Sequence, residues 1–507
     1  MNIPMVTGND IVKAILALKN KKKCPLDEIP VKIIKENKNL LAEPLSKLFN
    51  DSIKDGVFPN RFKLAKIIPI HKSGSKTNIS NYRPISILPV FSKIFEIIMK
   101  NFLMNYLNKQ RILNNRQFGF RPGLNTFDAI NVFTTDLYNA LNNHKSIISI
   151  FIDFSKAFDT VDPNILVDKL RHYGIRGCVE NWFKSYLTGR SHFTSYNNSK
   201  STIKPIHLGV PQGSILGPIL FLLYINDISN ASTALNTIQF ADDSTLYMIG
   251  DNPTDLIYRV NLELSAFSEW CLANRLTINT AKTFYMLFTN TTTKYQPLPR
   301  LTILDKDITQ VSKTKFLGVT FDNNLTFKYH ISNLCLKLSR SIALLLKIKN
   351  LVPVEIMKIM YYAHIYPHLT YCNPIWSTTY PCHLHNLNIL HKKIIRIMTN
   401  SDFLQHTPPL FKSLKILQLS DLSNFSIASL MFKHINSNNN STLTQTHNHS
   451  TRYRHYLQIP HHNLTLYQHS LMFKGPKIWN STPTHIKKSV SVNIFKRKLK
   501  EYLLSLY

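Results

Sequence analysis

Residues Ile147 to Ile152 form a near-continuous apolar run, I-I-S-I-F-I, that ends directly on a carboxylate, Asp153. Such a run reads as a strand buried on both faces. A buried strand that delivers a charge at its end is costly unless a cation or strong hydrogen bonds meet that charge. The stretch N-T-I-Q-F-A-D-D-S-T-L-Y-M-I-G, Asn236 to Gly250, supplies a second feature of the same kind. Ile238 and Phe240 alternate on one side and Ser244 to Ile249 can return as a strand, which predicts a hairpin with Asp242 and Asp243 at its tip. A D-D turn alone is no more than an exposed β-turn, since aspartate readily bonds its own backbone there. Beside Asp153 it becomes a set of strand-end carboxylates able to converge across adjacent strands.

The surrounding pattern alternates helices and strands. Residues 9–20 carry an amphipathic helical pattern with Asn9 or Asp10 as cap, and a second helical pattern runs from Pro30 to about Ser52. Leu64 to Ile70 reads as a strand. The basic, Gly/Ser-rich segment 71–86 reads as a turn bearing Lys72, Lys76 and Arg83, suited to closing over a triphosphate or a template strand. Helical patterns follow at Val90–Leu107 and Thr126–Leu141, separated by Q-F-G-F-R-P-G at 117–123. The turn G-V-P-Q-G, Gly209 to Gly213, has one conspicuous polar side chain, Gln212, and leads into a buried apolar helix, Ile219 to Ile228. Asp159 and Asp162 fit local capping better than metal binding. Beyond the Asp242–Asp243 hairpin come a helix from Pro253 to about Trp270, a loop and strand at 274–288 with Lys282 at its entrance, and strand–turn–strand around Gly318. Residues 329–398 are mainly helical, 436–451 are polar and of low complexity, and the remainder alternates basic and aromatic residues.

Charge decides the class of partner. Lys and Arg number 61 against 29 Asp and Glu, a formal charge of +32, which predicts attraction to a polyanion, with nucleic acid the obvious one. The six scattered cysteines never form a Cys-x-x-Cys pair, which suits a reducing compartment. The cluster Cys372, Cys382, His383 and His385 matches no closed zinc spacing. The N-terminus carries no apolar signal core, and the longest apolar run, Ile215 to Ile225, contains Gly217 and Pro218 and is too short to cross a bilayer, so no membrane partner is expected.

Taken in order, N-Y-R-P-I-S, Q-F-G-F-R-P-G, F-I-D-F-S-K-A-F-D-T-V-D, G-V-P-Q-G-S-I-L-G-P-I-L-F-L-L-Y-I-N-D, F-A-D-D, L-T-I-N-T-A-K-T and K-F-L-G-V resemble the reverse transcriptase of non-LTR (LINE-type), jockey-like retrotransposons. The resemblance implies an α+β right-hand polymerase. Its parts would be an N-terminal helical pre-finger extension (1–60), fingers and an antiparallel-sheet palm packed on helices (61–325), a helical thumb-like region (326–435), and a polar linker with a basic C-terminal extension (436–507). It implies Asp153, Asp242 and Asp243 as the catalytic and metal-binding triad, holding two Mg²⁺ with Mn²⁺ able to substitute. Phe158 would be the aromatic gate against a ribose 2′-hydroxyl, with Phe154 beside it. Lys72, Arg83, Gln212 and Lys282 would complete the dNTP site, and Phe316, Leu317 and Gly318 the primer grip.

The activity so implied is RNA-directed DNA polymerisation. The expected partners are an RNA template, a DNA primer or nicked target DNA, and dNTPs, acting in the nucleus with cytoplasmic assembly on element RNA. Two features depart from the family pattern. C-P-L-D-E-I-P at 24–30 replaces a glycine-containing turn, and no N-terminal endonuclease precedes the fingers, so target nicking is expected from a separate endonuclease. An inactive, element-derived RNA-binding protein is the rival reading. An RNA-templated RNA polymerase shares the metal logic but fits the Phe158 gate poorly.

Overall fold

The apolar run at 147–152 forms the middle of a five-stranded sheet in the computed structural model, which describes residues 1–20, 26, 29–197, 199–290, 298–436 and 456–507. The strands in chain order are β1 (Leu64–His71), β2 (Tyr82–Ile87), β3 (Ser146–Ile152), β4 (Arg190–Tyr196), β5 (Ser199–Lys200), β6 (Lys204–Ile206), β7 (Asn236–Phe240), β8 (Asp243–Gly250) and β9 (Phe284–Phe288). Short strands β10 (Thr302–Ile303), β11 (Lys306–Asp307) and β12 (Thr309–Gln310) lead to the hairpin of β13 (Lys313–Phe316) and β14 (Val319–Asp322). The central sheet has the order β12-β9-β3-β8-β7, with β3 antiparallel to both neighbours. A second sheet, β2-β1-β4-β5 with β6 on β4, carries the basic β1–β2 turn.

Alternation along β3 explains why its sequence is apolar throughout. Ile148, Ile150 and Ile152 enter one apolar cluster together with Leu256, Val260 and Leu264 of helix Pro253–Ala273. Ile147 enters another with Ile130, Phe133 and Leu137 of helix Thr126–Asn142. A period of two therefore sends alternate residues to opposite faces, and both faces are covered. The helix Gly217–Tyr224 is buried along almost its whole length and belongs to the first cluster. Residues 1–60 contribute Ile11, Ile15, Phe49 and Phe58 to that same cluster.

The second cluster runs from the far face of the palm sheet through the helical region beyond residue 326 and into helices Leu471–Ser481 and Val492–Ser505. The segments on either side of the expected division at 435/436 thus share one core. Tyr467 donates to Asn139 at 3.1 Å and Asn463 bonds Asn142 at 2.8 Å, tying the C-terminal part to the palm helix. No helix among the described residues is long and apolar enough to cross a membrane.

Several boundaries differ from the sequence expectation for local reasons. The first helix, Gly8–Ala17, is capped by Thr7 in a reciprocal box with Asp10 rather than by Asn9 or Asp10. The pattern from Pro30 splits at Asn37 into Val31–Glu36 and Lys38–Asp55. The expected Ile219–Ile228 helix begins at Gly217 and ends at Tyr224. Most of C-P-L-D-E-I-P, most of the basic run at 19–23 and nearly all of the polar stretch 436–451 lie outside the described residues.

Candidate active site

The register of β3 against β8 sets the positions of the carboxylates. Ile152 pairs with Ser244, so one residue further on each strand stand Asp153 and Asp243, opposite one another where the ladder ends. Opposite residues of an antiparallel pair share a face at roughly 5 Å between Cβ atoms. The β7–β8 hairpin closes Phe240 on Asp243, leaving Ala241 and Asp242 as a two-residue turn. Ala241 takes φ +58°, a left-handed conformation that costs an alanine about 1 kcal/mol or more. Asp242 and Asp243 are exposed at the tip.

The charges at this edge are felt mutually. The surrounding protein, then the negative charges of Asp242 and Asp153, hold the Asp243 carboxyl above the usual carboxylate range, while the Lys72 ammonium draws it back. A cation would relieve this crowding. Among the described residues, no three His, Cys, Asp or Glu side chains stand at the spacing of a closed metal cage. Asp153, Asp242 and Asp243 therefore form an open set rather than a closed cage. An open set of hard oxygens fits Mg²⁺, which takes one or two carboxylates and completes its shell with water and substrate phosphates.

Asp153 is oriented by a residue that sequence reasoning missed. Asn279 donates through Nδ2 to the Asp153 carboxylate at 3.0 Å, and its backbone N–H donates to the Asp153 carbonyl at 2.8 Å. Residues 277–279 run antiparallel to 153–155, with Phe154 bridged to Ile278. Lys282 is exposed in the turn Thr280–Lys282 that follows, its N–H on the Asn279 carbonyl, so its backbone is tied to the segment that holds Asp153. The signal was present in L-T-I-N-T-A-K-T, where Asn279 stands three residues before Lys282.

The other expected contacts divide. Lys72 and Arg83 are both exposed on the β1–β2 hairpin, yet it is Lys72 whose charge reaches Asp243. Phe158 is half-buried, its ring stacked on Phe221 at 4.4 Å with Phe120 edge-on at 6.5 Å. Phe154, by contrast, is buried in the palm core, and Phe316 is buried among Phe133, Phe151 and Phe321. Neither side chain is available to a nucleotide or primer, which corrects that part of the expectation.

Gln212 is held by Asp159, whose carboxylate accepts from its Nε2 at 2.8 Å. The turn around it is fixed from behind. The Gln212 carbonyl accepts from the Ser86 N–H at 2.7 Å, and a Cβ on Gly213 would meet the Ser86 carbonyl oxygen at 2.5 Å. The fully buried Glu96 accepts from the N–H groups of Ile215 at 2.6 Å and Leu216 at 3.2 Å. Burial pushes the Glu96 carboxyl up, against the pull of these donors.

At the tip of the β13–β14 hairpin, Leu317 (φ +44°) and Gly318 (φ +89°) form a turn with both central residues left-handed, the geometry preferred in two-residue hairpins. The Tyr371 hydroxyl donates to the Leu317 carbonyl at 2.6 Å and shares a hydrogen bond with Thr126 at 3.0 Å. A Cβ on Gly318 would meet the Tyr371 ring at 3.0 Å.

Each of these expected site residues lies within residues 70–321, which match the reverse transcriptase (RNA-dependent DNA polymerase) family. This segment is a reverse transcriptase domain. The chain is also similar to proteins of mobile elements in Drosophila melanogaster. It is 27% identical over 436 residues to the probable RNA-directed DNA polymerase from transposon BS, covering 82% of this chain and 47% of that protein. It is 28% identical over 417 residues to the RNA-directed DNA polymerase from mobile element jockey, covering 79% and 45%. For the probable RNA-directed DNA polymerase from transposon X-element the figures are 28% over 398 residues, 74% and 42%. The chain thus spans a little under half the length of these relatives.

Proposed function

We propose that this chain is an RNA-directed DNA polymerase that adds dNTPs to a primer 3′-hydroxyl on an RNA template. The observation that carries the reading is the opposition of Asp153 and Asp243 at the end of the β3–β8 ladder, with Asp242 at the hairpin tip, inside a reverse transcriptase domain. Asp153, Asp242 and Asp243 would hold Mg²⁺, or Mn²⁺ in its place. Two such ions, when bound, would lower the pKa of the attacking hydroxyl and neutralise charge on the triphosphate and leaving pyrophosphate.

The chain's own groups do the rest by position and charge. Lys72 and Arg83 close over the triphosphate from the β1–β2 hairpin, and Lys282 faces the departing pyrophosphate. Phe158 blocks a ribose 2′-hydroxyl, and Gln212, braced by Asp159, lies along the nucleotide and template. The backbone of Leu317 and Gly318 grips the primer. In a target-primed reaction in the nucleus, the primer would be nicked DNA supplied by an endonuclease.

The deciding experiment supplies purified protein with Mg²⁺, poly(rA)/oligo(dT) and dTTP, and the expected result is primer extension. Absence of Mg²⁺- or Mn²⁺-dependent incorporation on several primer–templates, with RNA binding retained, would favour the inactive RNA-binding reading.

Holding the duplex falls to the basic surface. Residues 308–507 carry 24 Lys and Arg against 5 Asp and Glu. Of those five, Asp322 is spent on backbone N–H groups of its own turn and Asp421 on the Tyr507 hydroxyl. Binding should therefore depend steeply on salt. With about five phosphate contacts, affinity for a primer–template should fall several-hundredfold between ~50 and ~200 mM salt. Fluorescence anisotropy reads this directly, and a flat response would contradict phosphate-led binding.

A further inference from the structure

We propose that Gln117 is a positioning residue for the catalytic hairpin, holding the Ala241 turn in the conformation that presents Asp242 and Asp243 together; the inference rests on the polymerase reading.

Gln117 is 1% exposed, and its Oε1 accepts two hydrogen bonds, from the Gly119 N–H at 2.9 Å and from the Ala241 N–H at 3.1 Å. The backbone on either side is fixed to the same hairpin. Phe118 N–H donates to the Gln239 carbonyl and Gln239 N–H to the Arg116 carbonyl, both at 2.9 Å, so residues 116–118 lie parallel to β7 as a short outer strand. Gly119 then passes so close that a Cβ there would stand 2.3 Å from the Ala241 nitrogen. Q-F-G is thus a fitted seat for the turn.

The turn needs such a seat for two reasons. Ala241 is left-handed without being glycine, so it gains by relaxing to an ordinary conformation. Its N–H is the first turn donor of a two-residue hairpin and Ala241 is only 4% exposed, so water offers little in place of Gln117. Removing the acceptor leaves an unsatisfied buried donor at the residue that immediately precedes Asp242. The two carboxylates would then lose their fixed relation to each other and to Asp153.

Two variants separate positioning from bulk stability. Gln117→Met keeps the length of the side chain and removes the acceptor. Gln117→Glu keeps the length of the side chain and an oxygen acceptor for the two N–H groups. The readouts are kcat and KM for dTTP on poly(rA)/oligo(dT), primer–template affinity by anisotropy, melting temperature, and Mn²⁺ binding by electron paramagnetic resonance without nucleotide.

Gln117→Met is expected to lower kcat by about tenfold or more, since small displacements of reacting groups cost rates of this order. It should also weaken Mn²⁺ binding, while primer–template affinity stays within about twofold and Gln117→Glu returns kcat to within about threefold of wild type. The inference is overturned if Gln117→Met matches wild type in both kcat and Mn²⁺ binding. It is equally overturned if its losses track melting temperature and duplex affinity together and Gln117→Glu fails to restore them. Failure of the wild-type chain to extend any primer would sink the polymerase reading instead, and Mn²⁺ binding by the two variants would still report on the hairpin.

Discussion

Asp242→Asn eliminates primer extension, with a residual rate about a thousandfold or more below wild type. Asparagine keeps the size of the side chain and its capacity to bond the turn, so the hairpin closed by Phe240 and Asp243 is left intact. What disappears is one negative charge at the proposed cation site. Asp243 loses one of the two negative neighbours that hold its carboxyl up, so it ionises more readily, yet one carboxylate fewer remains to hold the ion. Primer–template affinity should be unchanged or slightly improved, because the phosphates meet less repulsion. Steady-state incorporation paired with anisotropy tests both halves. Activity within tenfold of wild type would remove Asp242 from the metal-binding set.

Phe158→Val opens the enzyme to ribonucleotides. The aromatic ring is backed by Phe221 at 4.4 Å and has Phe120 edge-on at 6.5 Å, contacts that oppose its swinging aside. In the proposed role its exclusion of a ribose would be a clash, and clashes discriminate only while the wall is rigid. Shortening the wall should lower the dTTP-over-UTP ratio of kcat/KM by about a hundredfold, with dTTP itself kept within about fivefold. The comparison uses both nucleotides on the same poly(rA)/oligo(dT). An unchanged ratio would assign sugar selection to another residue, Phe120 being the nearest aromatic.

The chain announces its palm clearly and its supports poorly. The apolar run before Asp153, the two β-prone arms around Asp242 and Asp243, and the strand–turn–strand at Gly318 are local patterns of period two, and each forms as its sequence suggests. The groups that brace them come from far along the chain. Asn279 reaches Asp153 across 126 positions and Gln117 reaches Ala241 across 124, so no window of sequence contains either pair. The same distance hides which aromatic side chains turn inward: Phe154 and Phe158 are neighbours in the same motif, yet only burial against the palm core separates one from the other. That the Lys72 charge is felt at Asp243 depends on where the fold places the β1–β2 turn, which composition does not encode.

The two-faced palm sheet also bears on the order in which its two apolar clusters are completed during synthesis. One face, with Ile148, Ile150 and Ile152, can be covered once helix Pro253–Ala273 has emerged. The opposite face has helix Thr126–Asn142 against it from the start, but the cluster they share continues to Trp479, Phe495, Leu499 and Leu503, which are made much later. Domains tend to fold as units in the order they are made, and exposed apolar surface in the interval invites aggregation. A nascent chain would therefore carry this second cluster incomplete through the translation of more than 200 further codons after Ala273, until the helix Val492–Ser505 arrives.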